Sequence, residues 1–318
     1  MRIKVIVNPN SGRHIIQRNL ERIIGQLLLD GTASQVDVYR TQKDGDTPAD
    51  VAAIDAAGYD LLLGCGGDGT FNEIVNGMML NGAETPLAML PAGTVNDFAY
   101  ALRLPTDADK FCAMVRAGNY RRIDVGRAND KYFVNVASFG MFTDVAHKTD
   151  PDFKSVLGRA AYYLQGMRDI PEQLFTSIGV SVKSPVKNID CRCYLCLIAN
   201  SASVGSVRRL MHSADVSDGL FDVLLVQKRP MMPPAAVKYR NLTMNDLQRN
   251  SDEEQVFIYF QTPSIDIDCK EQQRVELDLD GEFSGYLPLS VQVVPRAVKL
   301  LVPPAPPEPP TIIKLRGL

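Results

Sequence analysis

Residues Gly64 to Glu73 have the composition of a phosphate-binding turn that carries a carboxylate. The stretch reads Gly64-Cys65-Gly66-Gly67-Asp68-Gly69-Thr70-Phe71-Asn72-Glu73. An apolar run enters it and a helical pattern leaves it, which predicts a strand, a glycine turn and a helix start. Glycines let the backbone turn sharply and approach a ligand, and a helix N-terminus adds partial positive charge. We therefore expect a phosphate cradle with the Asp68 carboxylate at its rim.

Two common nucleotide-binding signatures do not fit this turn. No Gly-Lys-Ser/Thr follows it, so it is not a Walker A motif. Its glycines match the dinucleotide fingerprint only by an overlap, and the region about twenty residues further on, Pro86 to Leu90, has no ribose-binding acid. The sequence therefore predicts that a nucleotide phosphate is bound by another architecture.

A second acid, Glu282, follows an Asp-Gly pair near the end of the chain. Asp280-Gly281 is typical of a hairpin turn, and an acidic residue beside such a turn is usually just solvated. A glutamate on a tight turn can also project into a cleft and accept a proton there. From these residues alone, the ordinary turn is the simpler interpretation.

Composition limits the classes of protein that fit. The chain has 318 residues, of which 45% are hydrophobic and 22% charged, with a net charge of −3. This describes a globular chain and argues against a nucleic-acid partner recognised through bulk positive charge. The apolar start, Met1 to Val7, is shorter than a signal peptide, and no apolar run reaches membrane-spanning length. We expect a cytoplasmic protein.

Three of the six cysteines cluster at Cys191, Cys193 and Cys196. Strand alternation is expected to place the first two on one face and Cys196 on the other. No histidine or fourth cysteine lies nearby in the sequence to complete a tetrahedral zinc site. Buried reduced thiols are predicted rather than a metal site or disulfides.

The first half of the chain alternates strands and helices. The pattern predicts strands at 3–7, 36–41, 61–64 and 87–90, and helices at 15–29, 48–57, 71–80 and 94–102. This order predicts a parallel sheet covered on both faces, with a ligand beyond the carboxyl ends of its strands. The turns that leave those ends supply the predicted nucleotide-binding residues: Asn8, Pro9, Asn10, Ser11, Gly12, Thr41, Gly66, Gly67, Asp68, Gly69, Thr70, Phe71, Asn72 and Thr94.

Beyond about residue 121 the pattern changes to short strands. They are predicted at 123–125, 132–138, 178–183, 192–200, 220–227, 256–261, 265–268 and 275–279, with helical insertions near 158–168 and 233–248. The fold class is therefore α/β, with a parallel-sheet domain followed by an antiparallel β-sandwich domain. The proline-rich segment from Pro303 to Pro310 is expected to be an extended spacer.

Five motifs in order resemble the diacylglycerol kinase catalytic domain family, in particular the bacterial soluble diacylglycerol kinases and related lipid kinases. They are Asn8-Pro9-Asn10-Ser11-Gly12, the Gly66-Gly67-Asp68-Gly69-Thr70 turn, the stretch Leu90 to Asp97, the stretch Asp215 to Asp222, and Asp280-Gly281-Glu282. The resemblance spans nearly the whole chain. It implies a nucleotide-binding domain of residues 1–122 with a returning segment at about 292–303, a lipid domain of 123–291, and a tail of 304–318.

The resemblance also implies roles for individual acids. Glu282 is expected to be the base that accepts the proton of a lipid hydroxyl. Asp68 is expected to act through Mg²⁺ on the phosphates of ATP, and Asp97 to join it, with Asp124 as a weaker candidate. Helix capping is the ordinary alternative for these aspartates. A structural cation is implied at Asp215, Asp218 and the carbonyl of Leu220, where solvated acids are the alternative.

Three functions are open at this point. The preferred one is an ATP-dependent lipid kinase, most simply converting diacylglycerol to phosphatidic acid at the inner membrane face, peripherally bound and with a homodimer as one possible assembly. Arg208 and Arg209 are candidates for headgroup contact, or an ordinary surface charge pair. An NAD kinase shares a Gly-Gly-Asp-Gly-Thr turn and a sandwich domain. A non-catalytic lipid-binding protein of the same fold is the third hypothesis.

Overall fold

The computed structural model describes residues 1–9, 13–41, 47–55, 58–140, 177–205, 210–211, 213–228, 257–271 and 274–304. Within them the helices are α1 (Arg13–Leu29), α2 (Pro48–Asp55), α3 (Asp68–Asn81), α4 (Asp97–Ala101) and α5 (Ala108–Ala117). The strands are β1 (Arg2–Val7), β2 (Gln35–Arg40), β3 (Leu61–Gly66), β4 (Leu87–Pro91), β5 (Tyr120–Ala128), β6 (Lys131–Phe133), β7 (Val136–Gly140), β8 (Ile178–Lys183), β9 (Asn188–Ala199), β10 (Phe221–Gln227), β11 (Phe257–Thr262), β12 (Ser264–Cys269), β13 (Glu276–Leu279), β14 (Glu282–Tyr286) and β15 (Leu289–Leu301).

Four parallel strands form the sheet of the first half, in the order β4-β3-β1-β2. Their registers place Val5 beside both Val38 and Leu63, and Gly64 beside Met89. The central strands are buried on both faces and are accordingly apolar throughout, as parallel strands covered by helices must be. The predicted parallel sheet is confirmed, and the carboxyl ends of its strands meet at one edge.

Capping residues fix the ends of the helices that flank this sheet. Helix α3 ends at Gly82, whose backbone φ of 64° is left-handed and whose N–H donates to the carbonyl of Met78. Helix α5 begins after Asp107, whose carboxylate accepts from the N–H groups of Asp109 and Lys110. The sequence prediction missed α5, although the Asp107 cap and the Gly118 C-cap are both visible in the sequence.

The strands of the second half pair antiparallel, in the order β14-β13-β7-β9-β8-β12-β15, with β10 and β11 continuing from β9. The predicted strand at 132–138 is two strands, β6 and β7, because the N–H groups of Val134 to Val136 turn to a side chain instead of a neighbouring strand. The strand β14 was not predicted. The fold class is confirmed as an α/β parallel sheet joined to an antiparallel second part.

The last strand, β15, joins the two halves. Its end pairs in parallel with β4 at Leu300 and Leu87, while most of its length pairs antiparallel with β5. Two hydrophobic clusters lie on either side of this connection. One contains the helices and the parallel strands, and the other contains the inward faces of the antiparallel strands.

The cysteines of β9 correct the prediction about their orientation. Cys193 and Cys196 both lie in the hydrophobic cluster of the second half, so they share a face. The cause is an irregularity in the pairing with β10, where Val226 pairs with Leu195 but Gln227 pairs with Cys193. All six cysteines are free thiols, of which Cys191 and Cys269 are partly exposed and the other four are buried. No group of three or more metal-ligating side chains suited to an ion occurs in the described ranges.

Several predictions fall outside the described residues: Asn10 to Gly12, the helical insertions near 158–168 and 233–248, Arg208 and Arg209, and the tail from residue 305 onward. Among the helices that the structure does describe, none is long and apolar enough to cross a membrane.

Candidate active site

The glycine turn after β3 is closely packed at Gly66 and Gly67, whereas a Cβ on Gly69 would meet no atom within 4 Å. A Cβ on Gly66 would lie 2.5 Å from the Thr70 hydroxyl oxygen, and a Cβ on Gly93 would lie 2.6 Å from the Cα of Gly67. The N–H of Ala92 also donates to the carbonyl of Gly66 at 2.8 Å. The turns that follow β3 and β4 therefore touch through backbone, which makes a narrow floor lined by amide groups.

The turns after β1 and β2 meet the same edge. The Asn8 amide donates to the Thr70 hydroxyl at 3.1 Å, and the N–H of Asn8 donates to the carbonyl of Cys65. Thr41 donates from both its N–H and its hydroxyl to the carbonyl of Val7. Thr94 is exposed in the turn after β4. The structure thus brings the described members of the predicted nucleotide site to one end of the parallel sheet.

Asp68 caps the short helix α4 across the floor of the site. The N–H groups of Asp97 and Phe98 donate to its two carboxylate oxygens at 3.0 and 3.2 Å. Desolvation and the charge of Asp97 raise the pKa of Asp68 to about 6, although the backbone donors act in the opposite direction. Asp68 therefore does act as a helix cap, which was the ordinary alternative for this residue. Because Asp68 directly follows Gly67, its carboxylate also lies beside the glycine turn.

Asp97 connects the two halves of the chain. Its carboxylate is buried and accepts a hydrogen bond from the Ser203 hydroxyl at 2.8 Å, from the segment after β9. Ser201 in the same segment donates to the Asn135 side chain. These serines were not predicted as site residues. The sequence could have indicated them, because the polar run Asn200-Ser201-Ala202-Ser203 directly follows a buried strand. Serines are mostly exposed in folded proteins, so buried ones are worth examining as site residues.

Asp280 is a half-buried aspartate that was predicted only as a turn residue. Its oxygens accept from the N–H groups of Val134, Asn135 and Val136 at 2.7, 2.9 and 2.8 Å. Desolvation raises its pKa to about 7, and the charge of Asp68 adds to the rise. Asp280 therefore lies within electrostatic reach of the glycine turn and ties the β13–β14 hairpin to β7.

Glu282 begins β14 and is exposed. Asp280 and Gly281 before it have left-handed φ angles of 49° and 95°, which reverse the chain as the Asp-Gly pair predicts. The charge of Glu282 acts on Glu73 of α3. Desolvation and the Glu282 charge, with a smaller effect of Asp50, raise the pKa of Glu73. Glu282 therefore interacts electrostatically with α3, the helix that begins at Asp68.

Helix α3 is fixed against the second half by two asparagines. Asn76 donates to the Tyr132 carbonyl and accepts from its N–H, both at 3.0 Å. Asn72, in the amide orientation that satisfies both its atoms, donates to Asp280. Phe71 has a different role from its neighbours, because its ring is 1% exposed and stacks on Phe98 at 5.1 Å. Phe71 can meet a ligand only through its backbone.

Asp124 is fully buried away from the glycine turn. Its carboxylate accepts from the N–H groups of Gly219 and Arg296, each at 2.7 Å. Asn200 donates to its carbonyl and to that of Val134. Asp124 thus ties β5, the 215–220 loop and β15 together, and its local role is structural.

The loop of the predicted structural cation is a compact acidic turn. Asp218 accepts from the Leu220 N–H at 3.0 Å, and Asp215 accepts from Ser217 and pairs with Arg121. Desolvation, followed by the charges of Asp215, Asp222 and Asp124, raises the pKa of Asp218. Surplus negative charge around Asp218 suits a cation, whereas the Asp215 carboxylate already has a cationic partner.

We expect Asp280→Ala to lower the free energy of unfolding by about 2–4 kcal/mol, because three neighbouring amides lose their shared, partly buried acceptor. Urea unfolding monitored by circular dichroism measures this loss. Glu84→Ala is the control, since the Glu84 side chain is 83% exposed and its removal should change stability by less than about 0.5 kcal/mol. Equal stability of the two variants would contradict the structural role of Asp280.

Two family models and several curated relatives match this chain. Residues 2–128 match the diacylglycerol kinase catalytic domain, and residues 135–302 match the YegS C-terminal NAD kinase beta sandwich-like domain. Proteins named diacylglycerol kinase from Staphylococcus carnosus and Bacillus subtilis are each 30% identical to it. The alignment with the first covers 95% of both chains, and that with the second covers 95% of this chain and 96% of the relative.

A solved structure adds evidence for the fold. A diacylglycerol kinase from Bacillus anthracis superimposes with a TM-score of 0.75 at 24% identity, over 96% of this chain and 98% of that one. This likeness concerns the fold alone. The first domain match covers the half of the chain that holds most of the first hydrophobic cluster, and the second match covers the half that holds most of the second cluster. The curated relatives align over almost their full length. The chain belongs to the diacylglycerol kinase catalytic domain family.

Proposed function

We propose that this protein is an ATP-dependent lipid kinase that transfers the γ-phosphoryl group to a lipid hydroxyl, most simply converting diacylglycerol to phosphatidic acid. The observation that carries the proposal is the meeting of the Asp280–Glu282 turn with the glycine turn. Asn72 on α3 donates to the Asp280 carboxylate at 3.3 Å, and the charges of Asp68 and Glu282 contribute to the raised pKa values of Asp280 and Glu73. This contact brings the hairpin that carries Glu282 beside the helix that begins at the glycine turn, which supports a site with a phosphate cradle and a base close together, as phosphoryl transfer requires.

In this proposal the nucleotide phosphates lie on the glycine turn. The N–H groups of Gly67 and Gly69 and the start of α3 would hold their oxygens. Mg²⁺, when bound, would neutralise charge on the phosphates. The donor set fits it, because Asp68 and Asp97 repel each other and would gain from a cation between them and the ligand. Ser203 would keep the Asp97 carboxylate in place through its hydrogen bond.

Glu282 would accept the proton of the attacking hydroxyl. Its exposed side chain is open to an acceptor, and its backbone is held by a turn whose Asp280 carboxylate binds three amides of the second half. A base held in this way needs little reorganisation to meet the hydroxyl. The acyl chains would lie against the second half, so we further propose that residues 1–122 with 292–303 bind nucleotide and 123–291 bind lipid.

The remaining features of the proposal concern the cellular setting. A diacylglycerol substrate is embedded in a bilayer, so the protein would act as a peripheral protein at the inner membrane face, alone or as a homodimer.

An NAD kinase is the weaker candidate, because the relatives that align with almost the whole chain are named diacylglycerol kinase. In addition, Asn72 contacts Asn76 and Asp280 within the protein and does not stand open to a ribose.

Phosphate transfer to diacylglycerol in detergent micelles tests the proposal. With γ-labelled ATP and Mg²⁺, we expect label in phosphatidic acid, and we expect a chelator of divalent cations to abolish the transfer. Transfer that persists with the chelator would contradict the proposed role of Mg²⁺. Absence of transfer to any lipid hydroxyl would contradict the proposed activity.

The acidic 215–220 loop gives a separate prediction about the structural cation. We expect Mg²⁺ to raise the melting temperature of the wild type, because a cation that binds only the folded protein stabilises it by mass action. Asp218→Asn should lose this rise, whereas Asp130→Asn, a control on an exposed turn, should keep it. Thermal unfolding with and without Mg²⁺ makes the comparison. An equal rise in all three proteins would place the cation elsewhere.

A further inference from the structure

The β13–β14 hairpin carries two large aromatic side chains that the protein only partly covers. Phe283 is 43% exposed and Tyr286 is 39% exposed. Their ring centroids lie 5.4 Å apart in an edge-to-face arrangement, and the Arg274 guanidinium lies 5.3 Å from the Tyr286 ring centroid. We name Arg274, Phe283 and Tyr286 the aromatic hairpin patch.

A bulge in β14 creates this patch. Residues three apart in a regular strand point to opposite faces. Here Tyr286 pairs with Glu276 and Phe283 with Asp278, so β14 takes three steps where β13 takes two. Gly285, with a φ of 102°, occupies the extra position. A Cβ there would meet no atom within 4 Å, so the glycine is needed for its backbone angle. Both rings consequently project from the same side of the strand.

The patch lies at the margin of the molecule and directly beside the proposed base. Among the described strands, β14 pairs with β13 alone and ends the sheet. Glu282 and Phe283 are neighbours, so the carboxylate and the rings point to opposite faces of the same edge. A surface that binds this edge of the sheet can therefore contact the aromatic rings and still lie close to Glu282.

We propose that the aromatic hairpin patch anchors this edge to the surface of a lipid bilayer and so holds Glu282 near the bilayer, where the acceptor hydroxyl is presented. The inference rests on the proposed lipid kinase function and deepens it. Aromatic rings at the level of the lipid headgroups contact the apolar part of the bilayer, while the Tyr286 hydroxyl remains hydrated. The Arg274 cation matches the negative charge of anionic headgroups.

Co-sedimentation with vesicles of equal parts phosphatidylcholine and phosphatidylglycerol tests the anchor. The double variant Phe283→Thr/Tyr286→Thr keeps strand-forming residues while it removes both rings. Loss of the partial burial of two aromatic side chains should lower vesicle partitioning by about tenfold. Tyr120→Thr is the matched control, since Tyr120 is 37% exposed and carries Lys299 at 4.4 Å from its ring centroid, on β5. Equal partitioning of the double variant and the control would overturn the proposal.

Two further measurements separate anchoring from folding and from the chemistry. The double variant Phe283→Trp/Tyr286→Trp should bind vesicles more tightly than the wild type, because tryptophan favours the membrane–water interface. A variant whose hairpin is misfolded would not show this increase in binding. Turnover of a short-chain diacylglycerol dissolved as monomers should change by less than about threefold in the Thr variant, while turnover in vesicles falls with binding. A drop of the same size on both substrates would overturn the anchor, as would a change in oligomeric state without a change in vesicle binding.

These outcomes are distinguishable from failure of the proposed function. If the wild type transfers phosphate to neither the monomeric nor the vesicle-bound lipid, the kinase assignment is wrong, whatever the vesicle binding shows. If the wild type phosphorylates both and the double variant matches the Tyr120→Thr control in every measurement, only the anchor is wrong.

Discussion

Glu282→Gln is expected to lower turnover by about 10²–10⁴-fold while nucleotide affinity stays nearly unchanged. Glutamine keeps the size and hydrogen bonding of the side chain but cannot accept the proton of the attacking hydroxyl. Glu282 is exposed and is not among the residues proposed to bind the nucleotide, so the nucleotide should bind as before. Turnover in mixed micelles and nucleotide titration by fluorescence or calorimetry measure the two quantities separately.

Glu73→Gln is the matched control for this experiment. Its carboxylate is near that of Glu282, and the two share an electrostatic environment. We expect its replacement to change turnover by less than about tenfold, because only one of the two acids is proposed as the base. Near-normal turnover of Glu282→Gln together with a large loss in Glu73→Gln would place the base on α3 and not on the hairpin.

Asp68→Asn is expected to lower turnover by about 10²–10³-fold with little loss of stability. The neutral amide removes the charge proposed to hold Mg²⁺ against the phosphates. One amide oxygen still accepts from the helix α4 backbone, where Asp68 now receives hydrogen bonds from Asp97 and Phe98. Turnover and melting temperature, measured on the same preparation, show both effects.

Asp68→Ala separates capping from chemistry. It loses the charge and both hydrogen bonds, so its turnover should match that of Asp68→Asn while its stability falls by a further ~1 kcal/mol. If Asp68→Asn retains near-normal turnover and only Asp68→Ala is inactive, the residue acts as a helix cap, and the proposed role in Mg²⁺ binding is wrong.

The parallel half of the fold could be predicted from the sequence because its signals are local. Apolar runs such as Leu61 to Gly64 and the periodicity of α1 identify elements without reference to the rest of the chain. The carboxyl ends of parallel strands meet at one edge by construction, so the positions of Asn8, Thr41 and the glycine turn followed from the strand order alone.

The parts that were missed depend on contacts between distant residues. Asp280 reads as a hairpin turn, and its three bonds to Val134, Asn135 and Val136 span more than a hundred positions, as the separations of 144 to 146 show. The orientation of Cys196 depended on a bulge opposite β10, which strand alternation does not reveal. The bond between Ser203 and Asp97 likewise joins the two halves.

The most direct test of the central claim is a competition for phosphate in a single reaction. The protein is incubated with γ-labelled ATP, Mg²⁺ and mixed micelles that contain diacylglycerol, monoacylglycerol, phosphatidylglycerol and a sphingoid base, with NAD in the aqueous phase. The products are then separated and counted. We expect label in lipid products, foremost phosphatidic acid, and none in NADP. Label in NADP together with no label in the lipids would contradict the proposed lipid kinase activity.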